Sequence, residues 1–293
     1  MAGNDYYESE WGRTREIFDG ILAGGETCLP RVLKLHDRRR LAEDEIKVHR
    51  NFVRGEVPMT PFGEPFQRTV SMGEAIHHLP LHADFLAIVS RWVSAFYEPG
   101  MDCIVELGAG YGRNLFELYL NGGPHPVRMF AGEVTENGRT LAGRLKALEP
   151  ALDITVVPFD YTRPDFSFLG DKPLKNVLFF TRHSIEQVER VPRDLFTGMV
   201  AAAEKVTCLH FEPFGFQLSS RVAPGGAISV EQEKFISRMH WNANLVETVR
   251  ELDEEGVLTL RHTFKNVIGE DPVSPTSIMV WTAGKTEEQG DRK

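Results

Sequence analysis

The sequence is poor in cysteine and in long apolar runs. Its 293 residues include only 3 cysteines, which cannot all pair with one another. Two of them, Cys103 and Cys208, lie in apolar runs where a thiol packs as a small hydrophobic side chain. No apolar run approaches the roughly 20 residues that a membrane-spanning helix needs. We therefore expect a folded, soluble protein without a membrane partner.

Basic residues are also in the minority. The chain has 33 Lys and Arg against 42 Asp and Glu, a formal charge of -9, and no dense basic block. A nucleic-acid partner is therefore not expected. The first ten residues, M-A-G-N-D-Y-Y-E-S-E, are acidic and polar, whereas a secretory signal begins with a basic patch and an apolar run. A cytoplasmic location is expected, and the sequence carries no signal of the oligomeric state.

What is present is an alternation of β-rich and helical segments from about Asp102 onward. This pattern predicts an α/β fold in which a mostly parallel sheet carries helices on its faces. A late pair of β-rich runs favours an antiparallel strand at the edge of the sheet. Helices are predicted from the N-cap Thr135 to Leu148, from Ser184 towards Glu204, and from Val230 to about Glu254. The predicted strands cover residues 102–107, 127–134, 154–159, 175–180, 206–211, 257–267 and 277–281.

The first hundred residues have a different sequence pattern from the rest. Charge-rich helical segments are predicted around Tyr7–Leu22 and Arg31–Arg50, followed by a turn-rich stretch at residues 58–66 and a linking helix, Ala83–Phe96. These segments predict a helical N-terminal cap. We expect the cap to cover residues 1–98, an α/β domain to cover residues 99–284, and a polar tail to cover residues 285–293.

The strongest functional signal is the glycine-rich turn V-E-L-G-A-G-Y-G-R-N at residues 105–114. Glycine has no Cβ, so backbone N–H groups can approach a ligand closely. The dinucleotide pattern G-x-G-x-x-G fails because Arg113 stands at the third glycine. The phosphate-loop pattern fails because Met279 stands six residues before the Lys of the only G-K-T. The pattern that remains is E-x-G-x-G-x-G, formed by Glu106, Gly108, Gly110 and Gly112, with a ligand-free tight turn as the alternative.

This turn resembles the first motif of class I S-adenosylmethionine-dependent methyltransferases. The resemblance covers about residues 99–215 and continues through three more strand ends in the expected order. It implies that Glu133 holds the ribose hydroxyls, that Asp160 lies beside the adenine amino group, and that Tyr161 lies against the adenine ring. The alternatives are a solvated carboxylate at a helix start for Glu133 and a local turn for Asp160.

The fourth strand end departs from the family pattern. Many relatives with small-molecule substrates end this segment in Leu-Glu-His, where the present sequence has Ile185-Glu186-Gln187. The resemblance implies a doubly wound, mostly parallel seven-stranded sheet with S-adenosylmethionine as cofactor. Its candidate cofactor-binding residues are Glu106, Gly108, Gly110, Gly112, Glu133, Asp160, Tyr161 and Thr181.

Candidate catalytic residues flank the same predicted sheet edge. The sulfonium methyl group is already activated, so the protein must mainly orient an acceptor, and a base is optional. His183 is the candidate for proton removal or acceptor orientation, with a hydrogen bond to a loop carbonyl as the alternative. Arg182 is a candidate carboxylate clamp or a surface ion pair, and Glu212 is a candidate for orienting a donor on the substrate.

Two further groups carry a functional and a structural interpretation. Tyr7, with Tyr6 and Trp11, is a candidate lid because aromatic rings can face a sulfonium cation; otherwise this helix packs an apolar stripe on the body. A histidine run with His77, His78 and His82 has no carboxylate or cysteine at a familiar spacing, so no metal site is expected.

The sequence therefore predicts a methyltransferase acting on an oxygen or nitrogen of a small molecule or short peptide. Two alternatives remain open. One is an enzyme that consumes S-adenosylmethionine by intramolecular attack on the aminobutyl arm and releases methylthioadenosine. The other is a degenerate fold that binds the cofactor, or nothing, and serves as a scaffold.

Overall fold

The computed structural model describes residues 4–39, 67–72, 75–80, 86–124, 126–219, 237–268 and 275–284. Its N-terminal part contains helix α1 (Asn4–Ala23), helix α2 (residues 29–39) and the antiparallel hairpin β1 (Gln67–Met72) and β2 (Ala75–Pro80). Helix α3 (Leu86–Phe96) then leads into the main sheet. The predicted turn-rich stretch at 58–66 and the polar tail at 285–293 lie outside the described residues.

Seven strands form the main sheet. They are β3 (Cys103–Leu107), β4 (Arg128–Glu133), β5 (Ile154–Pro158), β6 (Leu174–Arg182), β7 (Ala203–Glu212), β8 (Thr259–Ile268) and β9 (Thr276–Gly284). Four α-helices lie between or after them: α4 (Arg113–Leu120), α5 (Glu136–Lys146), α6 (Arg193–Ala201) and α7 (Gly215–Ser219). A further helix, α8 (Leu245–Glu254), precedes β8, and short 3₁₀ turns cover Ser167–Leu169 and Ile185–Gln187.

The strand order across the sheet is β5-β4-β3-β6-β7-β9-β8. Strands β3 to β7 are mutually parallel, and β9 is antiparallel to both β7 and β8. This arrangement confirms the mostly parallel, seven-stranded fold that the class I methyltransferase resemblance implied. The late pair of strands forms an antiparallel hairpin at the edge of the sheet, as expected; within it β9 inserts next to β7, and β8 is the outermost strand.

Helices cover both faces of the sheet, and each face has its own core. Side chains from α1 to α5 pack on one face with Ile104 and Phe180, and side chains from α6 and α8 pack on the other with Val105 and Phe179. Because neighbouring residues of one strand point to opposite faces, a strand covered on both sides reads as a continuous apolar run. This explains why all five residues of β3 are buried.

Two predicted helices are wrong in extent. The segment after Ser184 forms only a 3₁₀ turn, and α6 begins at Arg193, because Pro192 disfavours a helical conformation at Val191. The side chain of Asn244 also holds that segment: its Oδ1 accepts a hydrogen bond from the Val191 N–H at 2.9 Å, and its Nδ2 donates to the Val191 carbonyl at 3.0 Å.

The long helix predicted from residue 230 is broken within its described part. Residues 237–239 are helical, but His240 has a φ of 55°, and α8 starts only at Leu245. The Asn242 side chain accepts hydrogen bonds from the N–H groups of Asn244 and Leu245, a local bonding pattern that favours a turn over a helix.

The hairpin β1–β2 was not predicted, because its strands Q-R-T-V-S-M and A-I-H-H-L-P show neither a continuous apolar run nor a strict alternation of apolar and polar residues. His77 and His78 lie in β2, and His82 lies outside the described residues. Within the described ranges, no helix combines the length and apolarity needed to cross a membrane.

The N-terminal helices are attached to the main domain by charged contacts. Glu8 of α1 accepts hydrogen bonds from the N–H groups of Glu136 and Asn137, both at 2.8 Å, at the start of α5. Asp37 of α2 accepts two hydrogen bonds from Arg113 at 2.9 and 3.0 Å. Burial opposes ionisation of Asp37, but hydrogen bonds from His36 and Arg113 prevail and lower its pKa to about 2.

We expect Asp37→Asn to lower the free energy of unfolding by about 1.5–3 kcal/mol, because it removes charged hydrogen bonds from a partly buried pair. Urea denaturation at neutral pH measures the change. The contribution should fade as the pH falls below the ordinary carboxyl pKa, because the native-state pKa of Asp37 is depressed. The matched control is Glu10→Gln, which breaks an exposed ion pair with Arg13. A loss no larger than that of the control would show that the Asp37 contact does not stabilise the cap.

Candidate functional site

A cavity of about 810 Å³ opens at the carboxyl ends of the parallel strands. It lies where the strand order reverses between β3 and β6, the position where open α/β sheets bind ligands. Ligand pockets usually measure about 300–1,000 Å³, so this cavity has room for a cofactor and part of a second molecule. Its lining residues are Tyr7, Trp11, Gly108, Glu133, Val134, Phe159, Asp160, Tyr161, Thr162, His183, Ser184, Gln187, Val188, Glu189, Arg190, Met239, His240 and Trp241.

The glycine-rich turn forms one wall of this cavity. Gly108, Gly110 and Gly112 have φ values of 72°, 55° and 83°, in the left-handed region that favours glycine. A Cβ at Gly108 would lie 2.4 Å from Ser184 Cβ, and one at Gly110 would lie 2.6 Å from Trp11 Cζ2. Gly108 lines the cavity, whereas Gly110 lies under the Trp11 ring and Gly112 is the residue before α4.

Glu133 lies at the end of β4 and lines the same cavity. Its Oε2 accepts a hydrogen bond from the Gly110 N–H at 2.8 Å. Its Oε1 accepts two hydrogen bonds from Thr135, from the N–H at 2.9 Å and from the hydroxyl at 2.7 Å. The carboxylate therefore ties the glycine turn to the N-cap of α5. Because a carboxylate oxygen has two lone pairs, Oε2 can accept one more donor from a ligand.

Asp160 and Tyr161 follow β5, and both line the cavity. Asp160 Oδ1 accepts hydrogen bonds from the Thr162 N–H at 2.8 Å and the Thr162 hydroxyl at 2.7 Å. Burial opposes ionisation, but these hydrogen bonds prevail and lower the pKa of Asp160. Tyr161 is buried, and its hydroxyl donates to the Leu107 carbonyl at 2.5 Å. The local turn considered for Asp160 is thus present, and its Oδ2 lies 3.5 Å from Nη2 of Arg163, an exposed side chain.

Ser184 connects these groups to the end of β7. Its hydroxyl lies 2.8 Å from the Tyr161 hydroxyl and 3.2 Å from the Leu107 carbonyl oxygen. Its N–H donates to Glu212, whose two carboxylate oxygens lie 3.0 and 3.2 Å away. Glu212 also accepts longer hydrogen bonds from the next two N–H groups of the turn. Glu212 does not line the cavity; it holds the loop that does.

Burial, and then the charge of Glu186, raise the pKa of Glu212 to about 7, although His183 and the hydrogen bonds oppose this. The carboxyl group therefore titrates near neutral pH. Protonation of Glu212 would weaken its hydrogen bonds with the N–H groups of residues 184–186, because a neutral carboxyl group is a poorer acceptor for N–H groups.

His183 lines the cavity in a strained backbone conformation with a φ of 45°. Its Nδ1 lies 3.2 Å from Glu186 Oε2, and its Nε2 lies 2.6 Å from the hydroxyl of Thr276. Burial and Arg182 lower the pKa of His183, but Glu186 and Glu212 outweigh them and raise it. The side chain is paired with a carboxylate and a hydroxyl instead of the loop carbonyl considered from the sequence.

Four predicted site residues lie beneath the cavity or beside it. Glu106 is fully buried; its Oε1 accepts a hydrogen bond from Asn114 Nδ2 at 2.5 Å, and burial raises its pKa to about 8. Thr181 is also fully buried, and its hydroxyl lies 3.0 Å from His210 Nδ1. Arg182 and Glu212 are likewise absent from the lining. None of these four meets a ligand in the cavity directly.

His210 is the satisfied core histidine that its position inside β7 favoured. Its Nε2 accepts a hydrogen bond from the Trp281 indole N–H at 2.9 Å. Burial lowers the pKa of His210 to about 3, so the ring is neutral and the proton is on Nδ1, facing Thr181.

Helix α1 closes one side of the cavity. Tyr7 and Trp11 line it, whereas Tyr6 is exposed. Burial, and then the charge of Glu186, raise the pKa of the Tyr7 phenol, so this side chain stays neutral. The Trp11 ring also makes an edge contact with Tyr111, at 5.5 Å between centroids, and so joins the cap to the glycine turn.

Sequence reasoning did not identify several residues of the site. Ser184 and Glu186 lie close to predicted residues in the sequence, so their place in the motif could have identified them. Thr276 and Trp241 are distant in the chain and carry no motif. The pairing of Thr276 with His183 joins residues 93 positions apart.

The solved structures similar to this chain include the LepI complex with SAM, with 16% identity and a TM-score of 0.44. That match covers 69% of this chain and 49% of LepI, so the chain spans about half of LepI's length. Magnesium protoporphyrin IX methyltransferase from Synechocystis PCC 6803, with bound SAH, has 11% identity and a TM-score of 0.46, covering 68% of this chain and 82% of that one.

Geranyl diphosphate methyltransferase, in complex with GPP and sinefungin, has 8% identity and a TM-score of 0.43, covering 68% of this chain and 78% of that one. No protein-family model matches the sequence, and no curated protein matches it significantly. At these TM-scores none of the likenesses indicates a reaction, and the fold is assigned from the strand order and orientation.

We expect Gly108→Ala to destabilise the protein by about 1–3 kcal/mol, because a Cβ there meets Ser184 and the backbone has a positive φ. Thermal unfolding measures the loss. The matched control is Gly143→Ala in α5, where a Cβ meets nothing within 4 Å and alanine favours the helix. Equal melting temperatures for the two variants would refute the close packing of the glycine turn on Ser184.

Proposed function

We propose that the protein binds S-adenosylmethionine and transfers its methyl group to an oxygen or nitrogen of a small molecule or short peptide. The observation that carries the proposal is the juxtaposition of Glu133, the glycine turn and His183 around one cavity at the switch point of the sheet. This is the arrangement that the ordered motifs predict, and it leaves space beyond the cofactor for an acceptor.

The lining offers a partner for each part of the cofactor. Glu133 Oε2, which has one hydrogen-bond donor from Gly110, takes a ribose hydroxyl. Asp160 Oδ2 takes the adenine amino group beside Arg163, because Oδ1 is already bonded twice by Thr162 and a carboxylate oxygen can accept more than one donor. The rings of Tyr7 and Trp11 provide aromatic surface for the sulfonium.

In the proposed reaction a lone pair of the acceptor forms a bond to the methyl carbon while the carbon–sulfur bond breaks. The electron pair of that bond moves to sulfur, and S-adenosylhomocysteine leaves as a neutral thioether. An acceptor hydroxyl or ammonium must also lose a proton. His183 is the proposed proton acceptor, through Nε2, since Nδ1 faces Glu186.

The size and lining of the cavity support a small acceptor. Its lining includes the apolar and aromatic side chains of Val188, Met239 and Trp241, together with Glu189 and Arg190. We also propose that residues 1–98 act as the cap of a cofactor-binding domain at 99–284, with residues 285–293 as a tail. Tyr7 and Trp11, both from α1, support this division because they close the cavity.

We expect Glu133→Gln to weaken binding of S-adenosylhomocysteine about 10–100-fold, because a charged hydrogen bond to the ribose contributes about 1.5–3 kcal/mol. Isothermal titration calorimetry measures the affinity. Glu136→Gln is the matched control. It removes the same charge at a residue three positions further along the chain, which is exposed and does not line the cavity. Unchanged affinity in Glu133→Gln would show that the ribose contact is misplaced.

We expect His183→Asn to lower the turnover number about 10²–10⁴-fold with little change in cofactor affinity. Asparagine tolerates a positive φ, so the strained backbone is kept while the base is removed. The assay incubates the protein with S-adenosylmethionine alone and then with a metabolite extract, and follows the nucleoside products by mass spectrometry. His262→Ala, at an exposed position of β8, is the control.

The identity of the product separates the possible functions. S-adenosylhomocysteine that appears only with the extract supports methyl transfer. Methylthioadenosine formed without an acceptor would show that the reaction is cleavage of the aminobutyl arm and not methyl transfer. Cofactor binding without either product would favour a scaffold, and equal turnover in His183→Asn and the parent would remove His183 from the mechanism.

A further inference from the structure

We propose that Glu186 is the positioning residue of the site: it faces Nδ1 of His183 and so leaves Nε2, which lies against the Thr276 hydroxyl, as the nitrogen that takes the proton from the acceptor. The kinetic part of this inference rests on the proposed function. The structural part, that the Glu186 carboxylate favours the protonated form of the His183 ring, does not depend on the proposed function.

The geometry holds His183 from three directions. Nδ1 lies 3.2 Å from Glu186 Oε2, Nε2 lies 2.6 Å from Thr276 Oγ1, and the backbone N–H donates to the Phe211 carbonyl at 3.0 Å. A non-glycine residue with a φ of 45° persists only where its surroundings specify it. In this position the ring lies between two polar groups, the Thr276 hydroxyl at Nε2 and the Glu186 carboxylate at Nδ1.

Glu186 is itself fixed in place. Its side chain is only 8% exposed, although it belongs to a turn beside a large cavity. Its Oε1 accepts a hydrogen bond from Gln187 Nε2 at 2.7 Å, and its backbone N–H donates to Glu212 Oε2 at 3.4 Å. A buried carboxylate needs a cation or donors to offset its desolvation, and the group that faces Oε2 is Nδ1 of His183, at 3.2 Å.

The charges around His183 come from three elements. Glu186 in the 3₁₀ turn and Glu212 at the end of β7 favour the protonated ring, whereas burial and Arg182 at the end of β6 disfavour it. Glu186 is the strongest of the favouring groups, and together they leave the pKa of His183 above its ordinary value. Removing the Glu186 charge leaves burial and Arg182 in place, so the pKa of His183 must fall.

This arrangement has a consequence for the reaction. When the ring is neutral and its proton is on Nδ1, facing Glu186, Nε2 is the basic nitrogen. It accepts a hydrogen bond from the Thr276 hydroxyl until the methyl acceptor binds. The carboxylate then stabilises the imidazolium that forms when Nε2 takes the proton. Turnover should rise with pH as His183 becomes neutral, and Glu186 sets where that rise occurs.

The test is a titration of the ring nitrogens of the 10 histidines by NMR in full-length protein. The signal of His183 is assigned by its loss in His183→Asn. In Glu186→Gln, the titration midpoint of His183 should move to lower pH. In Glu186→Asp, which keeps the charge but shortens the reach, the midpoint should lie between those of the parent and Glu186→Gln.

Glu189→Gln is the matched control. It removes a charge from the same loop and the same cavity, but its carboxylate lies 3.6 Å from His240 Nδ1 instead of near His183. The midpoint of His183 should not change in this variant. An unchanged His183 midpoint in both Glu186 variants would overturn the inference, as would an equal shift in the Glu189 control.

The pH profile of turnover tests the kinetic part. Its rising limb should move to lower pH in Glu186→Gln together with the NMR midpoint, an effect that a merely structural role would not cause. A shifted midpoint in a protein that forms no S-adenosylhomocysteine would support the structural inference and count against methyl transfer. If the NMR midpoint of His183 shifts while the rising limb of the pH profile of turnover does not, His183 is not the proton acceptor.

Discussion

The arrangement of the site depends on one buried hydrogen-bond network at the carboxyl edge of the sheet. The Tyr161 hydroxyl donates to the Leu107 carbonyl, the Ser184 hydroxyl lies against both, and Glu212 accepts the N–H of Ser184. These residues follow or end strands β3, β5, β6 and β7. Parallel strands leave polar backbone groups at their ends, and this network satisfies them without closing the cavity.

The network couples the glycine turn to the loop that carries His183. Gly108 has no room for a side chain because Ser184 occupies the adjacent space, and Ser184 is held by Glu212. Glu133 performs the equivalent task on the other side by joining Gly110 to the start of α5. The cavity walls on either side are therefore positioned by carboxylates that bind backbone N–H groups, a type of contact that keeps flexible turns in one conformation.

Helix α1 completes the site from outside the sheet. Glu8 accepts hydrogen bonds at the exposed start of α5, where unpaired N–H groups and the helix dipole favour a negative charge. Trp11 covers Gly110, and its neighbour on the helix, Tyr7, reaches the cavity near Glu186. The same contacts of α1 therefore fix its position and form one wall of the cavity.

The sequence by itself determined the layered α/β fold, the glycine turn after β3 and the N-cap of α5. These features depend on local signals: apolar runs for buried strands, glycines for a turn with positive φ, and a threonine N-cap for α5. The tertiary structure alone decided the roles of Glu212, Glu186 and Thr276. Their partners lie on other strands and turns, and the distances between them depend on strand order and register, which no local pattern encodes.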